Sequence, residues 1–324
     1  MGNFIIMVNT SSEIWIERFR PKSFKEMIGQ DKIVNRIKAF VDQKNLPHLL
    51  FSGPAGVGKT SLILTAAREL YGDSWRNNIM ETNASDSRGI DTVRNEVKDF
   101  ARTKAIGDVP FKICILDEAD ALTREAQQAL RRTMEQYSSI CRFCLITNWS
   151  SKIIDPIQSR CTIFRFKPLD KESVNKIVDL IVKEESLKLD DKTREALFYV
   201  SNGDVRRLEN VMQSCSTLSK NISEELVYEI VSSAKPKEIK EVLDLAVGGN
   251  FVNAKDKLLD VMLKHGLSGL DIIKQIQGEI WNLELEDDRK IELVDKCGEV
   301  EFRMIEGSDE FVQLEALIAN FMKK

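Results

Sequence analysis

One octapeptide limits what this chain can fold into more than any other stretch: GPAGVGKT, residues 53–60. It satisfies G-x-x-x-x-G-K-[ST] in full, follows the apolar run HLLFS (48–52) and opens a helical pattern. Strand, Gly-rich loop, helix is the context that separates a phosphate-binding loop from a chance match. The glycines let successive backbone N–H groups wrap a β-phosphate, and the helix N-terminus adds partial positive charge. The pattern sets Gly53, Pro54, Ala55, Gly56, Val57, Gly58, Lys59, Thr60 and Ser61 around a nucleotide. Lys59 is expected on the β- and γ-phosphates and Thr60 on Mg²⁺.

Such a loop needs a parallel sheet to carry it, and the first half of the chain supplies the strands. Apolar runs occur at 48–52, 78–83, 111–118, 142–148 and 162–166, with helical segments between them. Most are short and continuous, as in parallel strands covered on both faces. The expected fold class is therefore α/β: a five-stranded parallel sheet with helices on both faces. The run ICILDEAD (113–120) ends in two acids. Asp117 at a strand end suits Mg²⁺, and Glu118 is placed to polarise an attacking water. The acid pair points to hydrolysis rather than to small-molecule kinase chemistry. Asn148, at the end of LITN, can hold the lytic water or touch a γ-phosphate; Asn also favours strand ends for purely local reasons.

After FRFKPLD the strand-like runs stop. Asp170 is expected to start a helix reaching about Glu185, and a second spans about 191–201 and stops at Asn202-Gly203. Asp204 caps a third and Ser223 a fourth. SSAKPKE (232–238) reads as a linker. Beyond it, Ile239, Val242, Leu243 and Ala246 recur at helical spacing, as do Ile272, Ile273, Ile276 and Ile280, which suits a bundle core or subunit packing. The expected division is a nucleotide-binding domain over 1–166, a helical lid over 167–232 and a C-terminal helical domain over 233–324.

Composition narrows the function classes. A net charge of −4 excludes a globally basic nucleic-acid binder, although not a local basic patch. No run of 18 apolar residues is present, so no membrane-spanning helix is expected. The start, MGNFIIMVNTSSEIW, has no basic n-region, so an intracellular protein is expected. Of six cysteines, Cys141 and Cys144 form a C-x-x-C pair, but in a strand residues three apart face opposite ways, which defeats a shared metal or disulfide.

Taken together, the loop, the acid pair, the strand-end Asn, SRC (159–161) and GDVRRLEN (203–210) resemble the AAA+ clamp loaders, most closely the small subunits of replication factor C. WIERFRPKSFKEMIGQ (15–30), ETNASDSRGID (81–91) and REAQQALRRTME (124–135) resemble three further boxes of that family, and the IGQ triplet looks archaeal. The resemblance implies an ATP- and Mg²⁺-dependent ATPase. Its implied partners are a large subunit, further small subunits in a five-membered ring, a sliding clamp and primer–template DNA, with no membrane involved. It would work at the nucleoid in an archaeon, or in the nucleus of a eukaryote.

The resemblance implies residue roles as well. Asn148 would be the sensor-1 residue and Arg206 the sensor-2 arginine. Arg20, Pro21 and Ile28 would lie near the adenine. Arg160 would reach, in trans, the γ-phosphate held by a neighbouring subunit. Glu209 stands where the family more often has an apolar residue. Arg94, Lys98 and Arg102 recur at i, i+4, i+8, with Val93, Val97, Phe100 and Ala101 on another side. In a clamp loader this basic stripe, with Arg88 ahead of it, would meet DNA phosphates. Two alternatives stay open: another AAA+ DNA motor such as a branch-migration helicase, and a structural ring subunit that does not hydrolyse ATP.

Overall fold

The structure, a computed structural model, describes residues 14–85, 93–231 and 234–322. Five strands appear where the apolar runs placed them: β1 (Leu49–Ser52), β2 (Ile79–Asn83), β3 (Lys112–Asp117), β4 (Cys141–Thr147) and β5 (Thr162–Arg165). They form one sheet in the order β2-β3-β4-β1-β5 with every pair parallel. The expected α/β class is borne out. Burial is less even than expected. β1 is wholly buried and β3 and β4 nearly so, whereas β2 and β5 are largely half-exposed. Those two are the edge strands, which have a neighbour on one side only.

The order has a consequence for chemistry. β1 lies between β4 and β5, so the loop after β1 leaves the sheet beside the ends of both. Ser52 stands opposite Thr147, and the Gly53 amide donates to the Thr147 carbonyl at 3.2 Å. β3 flanks β4 on the far side, and Asn83 of β2 stands opposite Asp117. The carboxyl ends of four strands therefore share one edge, where ligands bind in open parallel sheets.

The chain separates into two compact units. One comprises residues up to Lys188 with Leu197–Gln213, and the other comprises Leu189–Ala196 with residues from Ser214 onward. The first unit thus runs past residue 166, the end expected for the nucleotide-binding domain. It takes in the Lys171–Glu185 helix and the start of the Val205–Leu218 helix. Local capping shaped these helices as expected. Asp170 Oδ1 accepts from the Ser173 amide at 2.8 Å, and Asp204 Oδ1 from the Arg207 amide at 3.1 Å. Gly203, at φ +75°, ends the preceding helix in the left-handed region, and a Cβ there would sit 2.6 Å from Leu169 backbone atoms.

In the second unit both isoleucine-bearing stripes are core. Ile239, Val242, Leu243 and Ala246 are fully buried, as are Ile272, Ile276 and Ile280. The expected linker over 232–238 is shorter than read. A helix runs Pro236–Val247, and Glu238 accepts from the Lys235 amide at 3.0 Å. Proline's fixed φ and missing N–H suit the first helical position, so Pro236 starts a helix inside the stretch read as a linker.

All six cysteines are free thiols, and five are buried. Burial pushes Cys141 and Cys161 up to about 12 and Cys144 well above its ordinary value. His48 is partnered too: its Nδ1 accepts from the Phe143 amide at 3.1 Å. Among the described residues, no helix is long and apolar enough to cross a membrane.

Phe143, on β4, is fully buried within the core on one face of the sheet. Phe143→Ala should cost about 3–5 kcal/mol through lost burial and a residual cavity. Urea unfolding followed by a probe of the sheet-bearing unit checks this, and a loss below about 1 kcal/mol would contradict the packing.

Candidate nucleotide site

The loop after β1 turns on glycines and delivers Lys59 to the first position of the Lys59–Tyr71 helix. Lys59 is only 8% exposed, and a buried ammonium needs acceptors. It has three: the Gly53 and Pro54 carbonyls, each at 2.6 Å, and Asn148 Oδ1 at 3.2 Å. Burial is the main influence on its pKa, lowering it to about 8; Asp117 opposes that shift and Arg206 adds to it. Thr60 Oγ1 donates to Asp117 Oδ2 at 3.0 Å, and the Glu118 amide donates to Asp117 Oδ1 at 2.8 Å. Glu118 itself has φ +52°, a left-handed conformation that is uncommon outside glycine and concentrates at functional sites.

These groups line one cavity of about 400 Å³, a size usual for small-molecule sites. Sixteen residues were expected to bind nucleotide, metal or phosphate in this chain's own site. The cavity brings together fourteen of them: Arg20, Pro21, Ile28, Ala55 through Ser61, Asp117, Glu118, Asn148 and Arg206. Gly53 and Pro54 face it only through the carbonyls that hold Lys59. The N-terminal segment is anchored by the Pro21 carbonyl, which accepts from Thr65 Oγ1 and Arg68 Nη1, each at 3.2 Å. The lid helix is anchored by the Val205 amide, which donates to the Gly56 carbonyl at 2.9 Å.

Arg160 is elsewhere. It lies outside the cavity lining, ion-pairs with Glu135 at 2.5 Å and donates to the Pro156 carbonyl at 2.7 Å. Of the expected DNA contacts, Lys98 and Arg102 are exposed while Val97 and Ala101 are fully buried on the opposite side. Arg102 also pairs with Asp99 at 3.4 Å. Arg88 and the side chain of Arg94 lie outside the described residues. The turn before Lys98 is a π-helix over Val93–Val97, so the stripe is not the regular α-helical one that the spacing implied.

Three site residues escaped sequence reading as such. Asn83 lines the cavity from the end of β2, the same kind of position as Asn148. Asp204 caps the lid helix, and its carboxylate also fills the space beside Gly56: a Cβ on Gly56 would lie 1.7 Å from Asp204 Oδ1. Glu209 lines the cavity one turn further along that helix. Its signal was visible, an acid among the apolar positions Leu208, Val211 and Met212, yet nothing in the sequence said that this face meets the nucleotide loop.

The donor set fits the implied ligands. A hydroxyl and a carboxylate in contact make a hard-oxygen pair suited to Mg²⁺, which takes one or two protein groups and completes its shell with water and phosphate. Among the described residues, no group of three or more His, Cys, Asp or Glu is placed to hold a metal by itself.

With this geometry in view, comparison with known proteins is informative. A family described as "ATPase family associated with various cellular activities (AAA)" matches residues 49–169, and "Replication factor C C-terminal domain" matches 234–320. A replication factor C small subunit from Methanococcus vannielii is 51% identical over 94% of this chain and 97% of its own length. The chain belongs to the replication factor C small-subunit family. The small subunit from Archaeoglobus fulgidus is 48% identical over 95% of this chain and 96% of its own length. Among solved structures, the Thermotoga maritima RuvB Holliday junction branch migration motor superposes with a TM-score of 0.53. It is 20% identical and covers 71% of this chain and 79% of its own, which shows a shared AAA+ fold and nothing more.

Gly56, at φ +66°, leaves no room for a side chain. Gly56→Ala should push Asp204 out of place at a cost of about 1–3 kcal/mol, as overpacking does. Titration with a fluorescent ATP analogue should show weaker binding. Gly56→Ala with Asp204→Ser, which keeps a capping hydroxyl but removes bulk, should recover part of it. Unaltered affinity in Gly56→Ala alone would contradict the contact.

Proposed function

We propose that this chain is the small ATPase subunit of a clamp loader, and that its ATP site works through the residues gathered at the sheet edge. One observation carries the reading: Lys59, Thr60, Asp117, Glu118 and Asn148 share one cavity in a chain about half identical to replication factor C small subunits. Mg²⁺–ATP, when bound, supplies the bond to be cleaved and a cation that neutralises developing charge. The chain's part is to position and to polarise. Lys59 is held by neutral acceptors that phosphate oxygens can replace. Thr60 and Asp117 would ligate the cation. Glu118 would orient the attacking water and take its proton, with Asn148 fixing that water's position. Arg206 would close on the phosphates from the lid helix.

Arg160 supports the reading from outside the cavity. Its guanidinium is held by Glu135 and the Pro156 carbonyl outside this chain's own cavity, which suits a group serving a neighbour's γ-phosphate. A planar guanidinium grips phosphate oxygens bidentately, and such a residue contributes about 10³–10⁵ in rate. Further small subunits and one large subunit would complete a five-membered ring that opens a sliding clamp on primer–template DNA. ATP would favour the clamp-opening form because two subunits grip one phosphate, a difference in affinity between two states. Lys98 and Arg102 are proposed to meet DNA phosphates, which are contacted without regard to sequence. Neither alternative gains support. The likeness to the branch-migration motor is one of fold alone, and a purely structural subunit has no use for the Lys59–Asp117–Glu118 arrangement.

ATPase rates with and without large subunit, clamp and primed DNA test the function. The chain should be weak alone and strongly stimulated by all three together. Lys59→Ala should abolish turnover at its own site. Branch migration without any clamp would overturn the reading. Arg160→Ala should leave this chain's own ATP affinity unchanged while lowering turnover at the adjacent site by about 10³-fold or more. In mixed assemblies, a defect confined to the mutated subunit's own site would refute action in trans.

A further inference from the structure

Two acids in the cavity wall, Glu26 and Glu209, are not used by the proposed mechanism; Glu26 already accepts from the Lys22 amide and the Ser23 hydroxyl, at 2.8 and 2.9 Å, and Glu209 does not. It is 5% exposed, and among the described residues it makes no hydrogen bond or ion pair. An unpartnered buried carboxyl is costly, and folded proteins rarely keep one without a use. Glu209 lines the cavity one helical turn from Arg206. The charged groups facing it are Arg20 and Glu17 of the N-terminal segment and Arg206 and Asp204 of its own helix and cap. Arg20 ion-pairs with Glu17 at 2.5 Å and acts on Glu209 only through its charge. Ile16, Phe19, Ile28, Ile177 and Leu180 also line the cavity, apolar surface suited to the flat face of a base and not to phosphate.

We propose that Glu209 is a specificity-determining residue that accepts a hydrogen bond from the nucleoside half of the bound nucleotide. This rests on the nucleotide-site reading above. Two nucleoside groups share the required chemistry, the 6-amino group of adenine and the hydroxyls of ribose. Burial pushes Glu209 up to about 8, against the pull of Arg20 and Arg206, so the carboxyl is mostly neutral at neutral pH. It then still offers a carbonyl acceptor and does not repel the phosphates. The arrangement costs stability in the free protein and recovers it on binding, as expected when a buried polar partner is supplied by the ligand.

The test uses the full-length chain and three probes: ATP, inosine triphosphate, which replaces the 6-amino group with oxygen, and 2′-deoxy-ATP. Dissociation constants are measured by calorimetry for wild type, Glu209→Gln and Glu209→Leu. The wild type should bind ATP about tenfold more tightly than one of the two analogues, the worth of one buried hydrogen bond. Glu209→Leu should bind ATP and that analogue alike, and Glu209→Gln, which keeps the carbonyl, should restore the preference. Whichever analogue the wild type rejects identifies the donor. Retention of wild-type ratios in Glu209→Leu overturns the proposal.

A second measurement guards against misfolding. Without nucleotide, Glu209→Leu should melt higher than wild type. The gap should widen as pH rises from about 4.5, where the unfolded chain loses this proton, to about 8, where the folded chain does. Between those values the unfolded state binds fewer protons, so raising pH favours unfolding of the wild type only. A lower melting point in Glu209→Leu at every pH would overturn the proposal. If wild type binds none of the three nucleotides, the nucleotide-site reading itself fails, and Glu209 with it.

Discussion

A positive charge buried at the carboxyl edge of a parallel sheet has to be held by something, and much of the first unit is arranged around that need. Lys59 cannot reach water easily, so its ammonium uses two loop carbonyls and the Asn148 side chain. Each acceptor comes from a different consequence of strand order. β1 and β4 are neighbours, which sets the loop and Asn148 side by side; β3 is next, which sets Asp117 within reach of Thr60. In another strand order the same residues would be dispersed along the edge. Parallel strands with long crossovers let four sequence-distant strands end at one place.

That convergence was legible because its parts were local. Continuous apolar runs marked β1, β3 and β4, and each carried its functional residue at its end. The lid helices announced themselves by capping, through Asp170, Asp204 and Gly203. What was not legible depended on approach between distant segments. Nothing local says that Asp204 lies against Gly56, or that the helix face bearing Glu209 meets the cavity. The helix beginning at Pro236 lay inside the stretch read as a linker, because a proline suits both an extended linker and a first helical position. The basic stripe was judged by α-helical spacing, and a π-helical turn alters which side chains stack.

Arg160 and Glu135 hold one another in an ion pair of 2.5 Å. The pair ties the loop before β5 to the Arg124–Gln136 helix, and the Pro156 carbonyl takes a second guanidinium donor. A long side chain so restrained has fewer rotamers open to it than a solvated one. The second unit asks little of chemistry by contrast. Its isoleucine stripes are buried in its own core.

The cysteines lead somewhere unconnected with catalysis. The thiolate is the form that reacts with alkylating and oxidising reagents, and here every thiol is held toward its protonated state by burial. The native chain is therefore a quiet background for labelling. A single cysteine placed on an exposed helix face would carry a spin label or dye almost alone, with no native thiol removed.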